Sequence, residues 1–481
     1  MNTRSACGVF VAALLAAGMS SAGRAGGVPL PDSPGRAIAP GRFPGGPPQA
    51  APAIPDDILA RRDRLSLADV LDVALRNDPA TQIAWRDARS RADVWGVAKA
   101  DWWPNLDVTV SGTRAKTAVQ GGITTFTQTV YGPGAALTYV LADFGQRTGN
   151  VSSAKNNALA AVWAHGAAVQ GTVLRTIEAY IAYVDAKAQL SAARITEDEA
   201  ATNLDAAEQR RSAGLATIAD VLQGKTQRSQ AKLIAQTIEG SIGSLRGTLA
   251  TTMGLPANVT FEVGDLPAEV PVVEFGGTVD ELIAKALGSR PDLASAREAW
   301  LASKADVTAK RGAWLPKLSL TGAFNLNYYD PQAFNSQTQS FVAHTDPWSV
   351  GVVLRIPVFN GFRNTYEIAK AHEDEGRAAA QARLVEQTVI NDVWTNWYDV
   401  KTAAQRMETS KDLLDSATES EKVALGRYKE GVGSLLDLLT AQSALATARA
   451  QEIAARADWL VAAARLIYST GGLTGPEALP Q

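Results

Sequence analysis

Two hydrophobic periods share this chain. From about residue 145 to 211 the apolar positions fall three and four apart (Val169, Val173, Ile177, Tyr180, Val184), in a stretch rich in alanine and free of proline. Residues 363–429 repeat this with Val385, Val389, Val393, Trp397 and Val400. That spacing predicts α-helices, each roughly 100 Å long at 1.5 Å per residue. Helices so long, without internal caps, belong to coiled coils or helical arrays. Shorter helical patterns follow each one (about 217–253 and 434–470, roughly 55 Å), and others come earlier (about 80–102 and 291–314, roughly 35 Å). Each long helix is therefore expected to be flanked by two shorter ones stacked end to end.

The second period is two. Leu318, Leu320, Phe324, Leu326 and Tyr328 alternate with Lys317, Ser319, Thr321, Ala323, Asn325 and Asn327. Trp348, Val350, Val352, Leu354 and Ile356 alternate with Ser349, Gly351, Val353 and Arg355. Earlier, Leu106, Val108 and Val110 alternate with Asp107, Thr109 and Ser111, and Ala135, Leu137, Tyr139 and Leu141 complete the set. Alternation over about ten residues marks a strand with lipid on one face and water on the other. A soluble hairpin with one buried face would show the same alternation. The aromatics favour lipid: Trp102, Trp103 and Trp314 sit at the strand bases, and Tyr328, Tyr329 and Trp348 toward the far ends, as two interfacial girdles would.

These elements occur twice. Pro79 and Pro291 close similar short helices, and Trp102-Trp103-Pro104 returns as Trp314-Leu315-Pro316 at the same offset. Such self-similarity indicates a repeat architecture. The predicted organisation is a first repeat at 65–254 with a β-hairpin at 104–141 and a helical tip near 211–217. A linker at 255–277 forms a belt at mid-height. A second repeat at 278–473 has its hairpin at 316–358 and its tip near 429–434, and a tail occupies 474–481. The tips share one pattern: Arg210, Gly214 and Asp220 in the first, Arg427, Gly431 and Asp437 in the second. The glycines are expected to be turn residues with positive φ, and the aspartates first-turn acids favoured by the helix dipole.

Composition narrows the setting. The formal net charge is −3 over 481 residues, which argues against a nucleic-acid binder. Residues 1–22 read as a signal peptide: Arg4, the apolar run Val9–Ala17, then small residues. Residues 23–64 form a Pro/Gly/Ala-rich leader, with the ordered core expected from near Leu65. The single cysteine, Cys7, precedes the apolar run, so no disulfide is expected in the mature protein. His165, His344 and His372 lie far apart. No metal-ligand spacing, phosphate-cradling loop or catalytic triad stands out. Neither an enzyme nor a cofactor is expected.

No later stretch is long and apolar enough for a membrane helix, so a span must be a β-barrel. Small closed barrels begin at about eight strands, and this chain offers four. Closure needs at least two copies, and three would give twelve strands.

With these elements in order, the chain resembles the TolC-like outer-membrane efflux proteins from about Leu65 to Leu473. The resemblance rests on the two copies of helix, strand pair and helical hairpin, and on the strand-to-helix junctions Leu141-Ala142-Asp143-Phe144-Gly145-Gln146-Arg147 and Val358-Phe359-Asn360-Gly361-Phe362-Arg363. It rests also on the tip residues Gly214, Leu215, Ile218, Asp220 and Val221, and Arg427-Tyr428, Gly431 and Leu436-Asp437-Leu438-Leu439.

The resemblance implies an α+β membrane protein: a homotrimer with a 12-stranded outer-membrane β-barrel, four strands per chain, continued by a periplasmic α-helical barrel. It implies a passive duct in the outer membrane of a Gram-negative bacterium. The partners would be a periplasmic adaptor, an inner-membrane transporter and outer-membrane lipid. Gly214, Leu215, Asp220, Arg427 and Gly431 would serve helix tips and adaptor docking, and Asp437 and Tyr428 the periplasmic gate. Asp437 matches the first position of the family's acidic ring, while Thr440 stands at the second and Gly433 replaces a tip arginine. The mouth should be less acidic and less tightly latched. The expected cargo is small toxic compounds. Two alternatives are protein secretion through the same duct and a soluble coiled-coil adaptor with no barrel.

Overall fold

A computed structural model describes residues 54–119, 124–265, 277–330 and 344–473. In chain order the elements are α1 (Asp56–Leu59), α2 (Leu67–Asn77), α3 (Pro79–Ala100), β1 (Asn105–Val119), β2 (Thr124–Ala142), α4 (Gln146–Ser212) and α5 (Ile218–Thr252). There follow α6 (Val279–Ser289), α7 (Pro291–Trp314), β3 (Lys317–Asn325), β4 (Asn327–Asp330), β5 (His344–Thr345), β6 (Trp348–Arg355), α8 (Arg363–Lys429) and α9 (Leu435–Ser469). The predicted signal peptide, residues 23–53 of the leader, residues 266–276 of the linker and the tail lie outside the described residues.

The long helices α4 and α8 are 67 residues each, and the returning helices α5 and α9 are 35 each. Local chemistry sets the helix starts. Ser66 caps α2 in a reciprocal box with Asp69, and Thr278 caps α6 with Glu281. Prolines 79 and 291 occupy the first position of α3 and α7, where the missing N–H removes nothing. Just before them the two copies carry opposite charges. Asp78 accepts from the Thr172 hydroxyl (2.7 Å) and lies 3.7 Å from Arg175. Arg290 donates to Asp392 at 2.8 Å. In both copies a short helix is tied to its long helix by ions, with the sign exchanged.

Helix α4 is the hub, packing against α3, α5, α7 and α9, while α8 packs against α6, α7 and α9. Near the sheet, α4 and α7 meet backbone to backbone. A Cβ on Gly149 would strike the Ala309 main chain, and one on Gly312 the Gln146 main chain. One core departs from expectation. Ile54 and Ile58 are buried with Val73, Tyr183, Leu249 and Phe261, so the packed chain begins about ten residues before Leu65. Two isoleucines one turn apart are enough to anchor α1, although the surrounding composition resembles a linker. Linker residues 255–265 cross the same core, and Leu65 pairs with Val263 in an isolated parallel bridge.

The sheet is antiparallel throughout. β1 pairs with β2, β2 with β3, and β3 with β6, while β4 carries β3's register onward along β2 and pairs with β5. Directly opposed residues share a face. One face thus carries the row Leu106–Leu137–Gly322–Val350 and the row Val108–Ala135–Phe324–Trp348; the other carries Asp107–Ala136–Ala323–Ser349. The apolar face is open: Val108 is 73% and Val350 70% exposed. No described part of the chain covers this face, as the core of a soluble hairpin would. Tyr131 stacks on Tyr328 at 5.7 Å, extending the far aromatic group on that face. Tyr329, expected in the same girdle, faces the other way. It opposes Val130, with its hydroxyl 3.2 Å from Thr345 Oγ1, because neighbours in a strand point to opposite faces.

The change from strand to helix is a tight left-handed turn in both copies. Phe144 and Gly145 have φ of 50° and 109°, and Gly361 and Phe362 have 68° and 63°. The first junction is locked: buried Arg147 bonds Asp143 through Nε (3.0 Å) and lies 4.3 Å over the Trp102 ring. In the second, Asn360 stands in place of the aspartate and Asn364 in place of the arginine, so the ion pair is missing.

Replacing Gly312 by leucine should push α7 off α4, with at least the ~1–3 kcal/mol cost of an overpacked core. The expected result is loss of the heat-resistant oligomer on gels, with Gly312→Ala intermediate.

Candidate functional site

The two helical tips explain the Arg–Gly–Asp spacing residue by residue. At the end of α4, Leu215 N–H donates to Arg210 O (2.8 Å) and Gly214 N–H to Arg211 O (2.9 Å). At the end of α8, Val432 N–H donates to Arg427 O (3.0 Å) and Gly431 N–H to Tyr428 O (3.2 Å). Both are Schellman motifs, with Gly214 at φ 77° and Gly431 at φ 78°. Three residues on, Thr217 and Ser434 cap α5 and α9. Three further on, Asp220 and Asp437 complete capping boxes with those caps. The sequence pattern is thus a helix stop and a helix start joined by the shortest link.

Electrostatics follow from the boxes. Hydrogen bonds from the Thr217 backbone and hydroxyl hold the Asp220 carboxyl below its ordinary value. The Ser434 hydroxyl and backbone, helped by Arg427, do the same for Asp437. Asp437 is fully exposed on the first turn of α9, with Thr440 one turn further. Leu215 is 79% exposed, and Ile218, Leu222, Val432 and Leu436 also present apolar surface. A groove of about 540 Å³ opens between α5 and α9, lined by Leu222, Gln223, Thr226, Leu436, Leu439 and Thr440.

The tips are also bound to each other. Leu204, Ala207 and Val221 pack with Tyr428, Leu435, Leu438 and Leu439 in one core. Tyr428, expected at the gate, is buried here, and what covers it is Arg210. The Arg210 guanidinium lies 4.3 Å over the Tyr428 ring and donates to the carbonyls of Tyr428 (2.9 Å) and Lys429 (3.1 Å). It thereby caps the C-terminus of α8 from the other hairpin, where a cation complements the dipole. In the sequence Arg210 stands out only as part of the repeat; its equivalent Arg427 is exposed and packs beside Gly433. A Cβ on Gly433 would lie 3.0 Å from the Arg427 Cβ, so a larger residue there must displace its neighbour. Farther up, Asn203 donates to Gln442 (2.5 Å), Arg449 pairs with Glu199 (3.1 Å) and Arg465 with Glu178 (2.7 Å). Polar contacts of this kind join α4 to α9 along much of their length.

Three outcomes test this account. Thr217→Ala and Ser434→Ala should each weaken its helix start by about 1 kcal/mol, read as faster amide exchange confined to the first turns of α5 and α9. Because both carboxyls titrate below their ordinary value, their stabilisation is full above about pH 4 and is lost as pH falls through the depressed native values. Tip protection should therefore hold from pH 7 to 5 and decline below 4. Arg210→Ala should speed proteolysis at the α8 end. Arg210→Lys should not restore protection, since an ammonium lacks the planar fork.

The comparisons with known proteins agree with this geometry. The family model for outer membrane efflux proteins matches residues 70–254 and 282–472. The chain is 27% identical over 437 residues to protein CyaE of Bordetella pertussis, covering 88% of each chain. It is 25% identical over 424 residues to the toluene efflux pump outer membrane protein TtgI of Pseudomonas putida, covering 85% of each. Among solved structures, the CmeC outer membrane channel of Campylobacter jejuni superposes with a TM-score of 0.73 at 19% identity, over 84% of this chain and 85% of that one. With two repeats of helix, strand pair and helical hairpin, each inside a matched segment, the chain belongs to the outer membrane efflux protein family.

Proposed function

We propose that three copies of this chain form the outer-membrane exit duct of a tripartite export system. The observation that carries this reading is the sheet: four strand positions (β1, β2, β3 continued by β4, and β6 preceded by β5) with one exposed apolar face, both edges open, and a helical hairpin leading from each strand pair. Three copies give twelve strands, and the edge-to-edge closure leaves no backbone group unpaired in hydrocarbon. The helical hairpins continue the wall into the periplasm as a tube.

The tips are the end that meets a periplasmic adaptor, itself joined to an inner-membrane transporter. Exposed Leu215, Leu222, Val432 and Leu436 and the groove between α5 and α9 supply the apolar surface. Gly214, Asp220, Arg427 and Gly431 shape the tips on which it is carried. In the closed state Arg210 holds Tyr428 and the end of α8 against the first hairpin. Opening then requires that clamp to yield, so Tyr428 contributes to the gate from inside the wall. Asp437 faces solvent and places one carboxylate per copy at the mouth. With Thr440 at the next turn, the mouth carries one acidic ring. The cargo is small toxic compounds; relatives named for solvent and toluene efflux at 25% identity support that choice. A soluble adaptor is disfavoured by the open apolar sheet face, which has no place in water.

The test is conductance of the purified protein in a planar bilayer, with heat-stable trimers in the outer-membrane fraction. Block by divalent cations added from the periplasmic side should weaken several-fold in Asp437→Asn. Unchanged block removes Asp437 from the mouth, and a soluble, non-conducting protein overturns the duct.

A further inference from the structure

Among the described residues β1 bonds only to β2, β6 only to β3 and β5 only to β4, so β1 is one open edge of the sheet and β6, with β5 beyond it, is the other. In one chain β2 and β3 stand between them, three strand steps or about 14 Å, so the two edges can meet only between copies. Each step across the sheet reverses direction, so β6 of one copy and β1 of the next run antiparallel.

The faces restrict how these edges pair. Even-numbered Leu106, Val108 and Val110 hold the apolar face of β1, and even-numbered Trp348, Val350, Val352 and Leu354 that of β6. Opposed residues share a face, so even must meet even, and half of all registers are removed.

Charge selects among the rest. On the polar face Arg355 stands directly opposite Lys317 of its own chain. Two opposed cations on one face are destabilising, and neither has an ion-pair partner among the described residues. The acid on the polar face of β1 is Asp107, whose carboxylate accepts from the Asn105 amide at 3.4 Å and has no cation partner among the described residues. In its own chain Asp107 is level with Ala323, about 20 Å along β3 from Lys317. It lies two residues into β1, and Arg355 is the last residue of β6, so the missing anion and the unmatched cation stand at the same end of the two open edges.

We propose that Asp107 of one copy faces Arg355 of the next across the barrel seam. This register sets Leu106 against Ile356, Val108 against Leu354, Val110 against Val352 and Gly112 against Val350 on the lipid side. On the lumen side the incoming carboxylate relieves the Lys317–Arg355 repulsion. Each copy thus completes a charge cluster in its neighbour, and the cluster fixes the stagger of the ring. This rests on the reading of the chain as a cyclic duct.

Cysteine cross-linking tests the register, because Cys7 is the only cysteine in the sequence and precedes the predicted cleavage site. Opposed positions hold Cβ atoms about 4.5–5.5 Å apart, near disulfide reach. In outer-membrane vesicles, mild oxidation of Asp107→Cys/Arg355→Cys should convert most of the chain to a covalent trimer that reductant returns to monomer. Asn105→Cys/Arg355→Cys and Thr109→Cys/Arg355→Cys should give only a minor fraction. A higher yield from either shifted pair, or no cross-link from any pair in protein that conducts, overturns the proposal. Failure of the unaltered protein to form trimers or to conduct overturns the duct reading instead. Charge reversal is a second readout that needs no disulfide. Asp107→Arg should lower the temperature at which the trimer dissociates, and adding Arg355→Asp should raise it far more in that background than in the unaltered chain, where Lys317 already gains an opposed carboxylate; equal changes in the two backgrounds overturn the pairing.

Discussion

An unpaired backbone group in hydrocarbon is the constraint on which this molecule depends. A strand in lipid must find a neighbour on both sides, and four strands bring two open edges with them. The chain cannot meet that requirement alone, because its own β1 and β6 are held apart by the strands between them. The exposed apolar face and the open edges are one fact seen twice: both are liabilities in an isolated copy and both vanish on ring closure. The helices follow from the same requirement. Helices of 67 residues with alanine-rich faces need neighbours along their whole length, and a ring supplies them.

The junctions and tips show how little chain is spent changing direction. At each strand-to-helix junction two consecutive residues with positive φ turn the backbone, and in the first copy a buried Arg147–Asp143 pair under Trp102 holds it. At each tip a Schellman stop passes into a capping box within a few residues. An acid three residues after the cap therefore has a structural reason to exist, independent of the role proposed for its charge at the mouth. What distinguishes the copies is placed around this common frame. Arg210 reaches across to the other hairpin, whereas its equivalent Arg427 stays with its own. The first junction is ion-paired and the second is open.

Much of this was legible in order of residues. Periods near three to four and of two located the long and returning helices to within a residue or two and the bases of the strands, because periodicity records which face is buried; β1 and β2 run on to Val119 and from Thr124, beyond the alternating stretches 106–111 and 135–141. The repeat pointed to two hairpins of each kind, and the strand number required more than one copy. The glycines and aspartates of the tips were visible because stop and start signals are local. The face of each strand residue also follows from parity, which sets Tyr329 opposite Tyr328 although the two stand at the same height.

Other features exist only in three dimensions. That Arg210 covers Tyr428 depends on α9 packing against both α4 and α8 and so bringing together two helix ends over two hundred residues apart in the chain. Ile54 and Ile58 look like a linker until α2, α4 and the 255–265 segment assemble around them. Gly149 and Gly312 read as weak helix positions, and only the crossing of α4 and α7 shows why a side chain has no room there. Lys317 and Arg355 are ordinary strand cations until the register sets them face to face. Sequence determined the elements and their number, because those depend on neighbours a few residues away. Tertiary structure decided which side chains meet, because that depends on how distant, individually self-consistent elements share one wall.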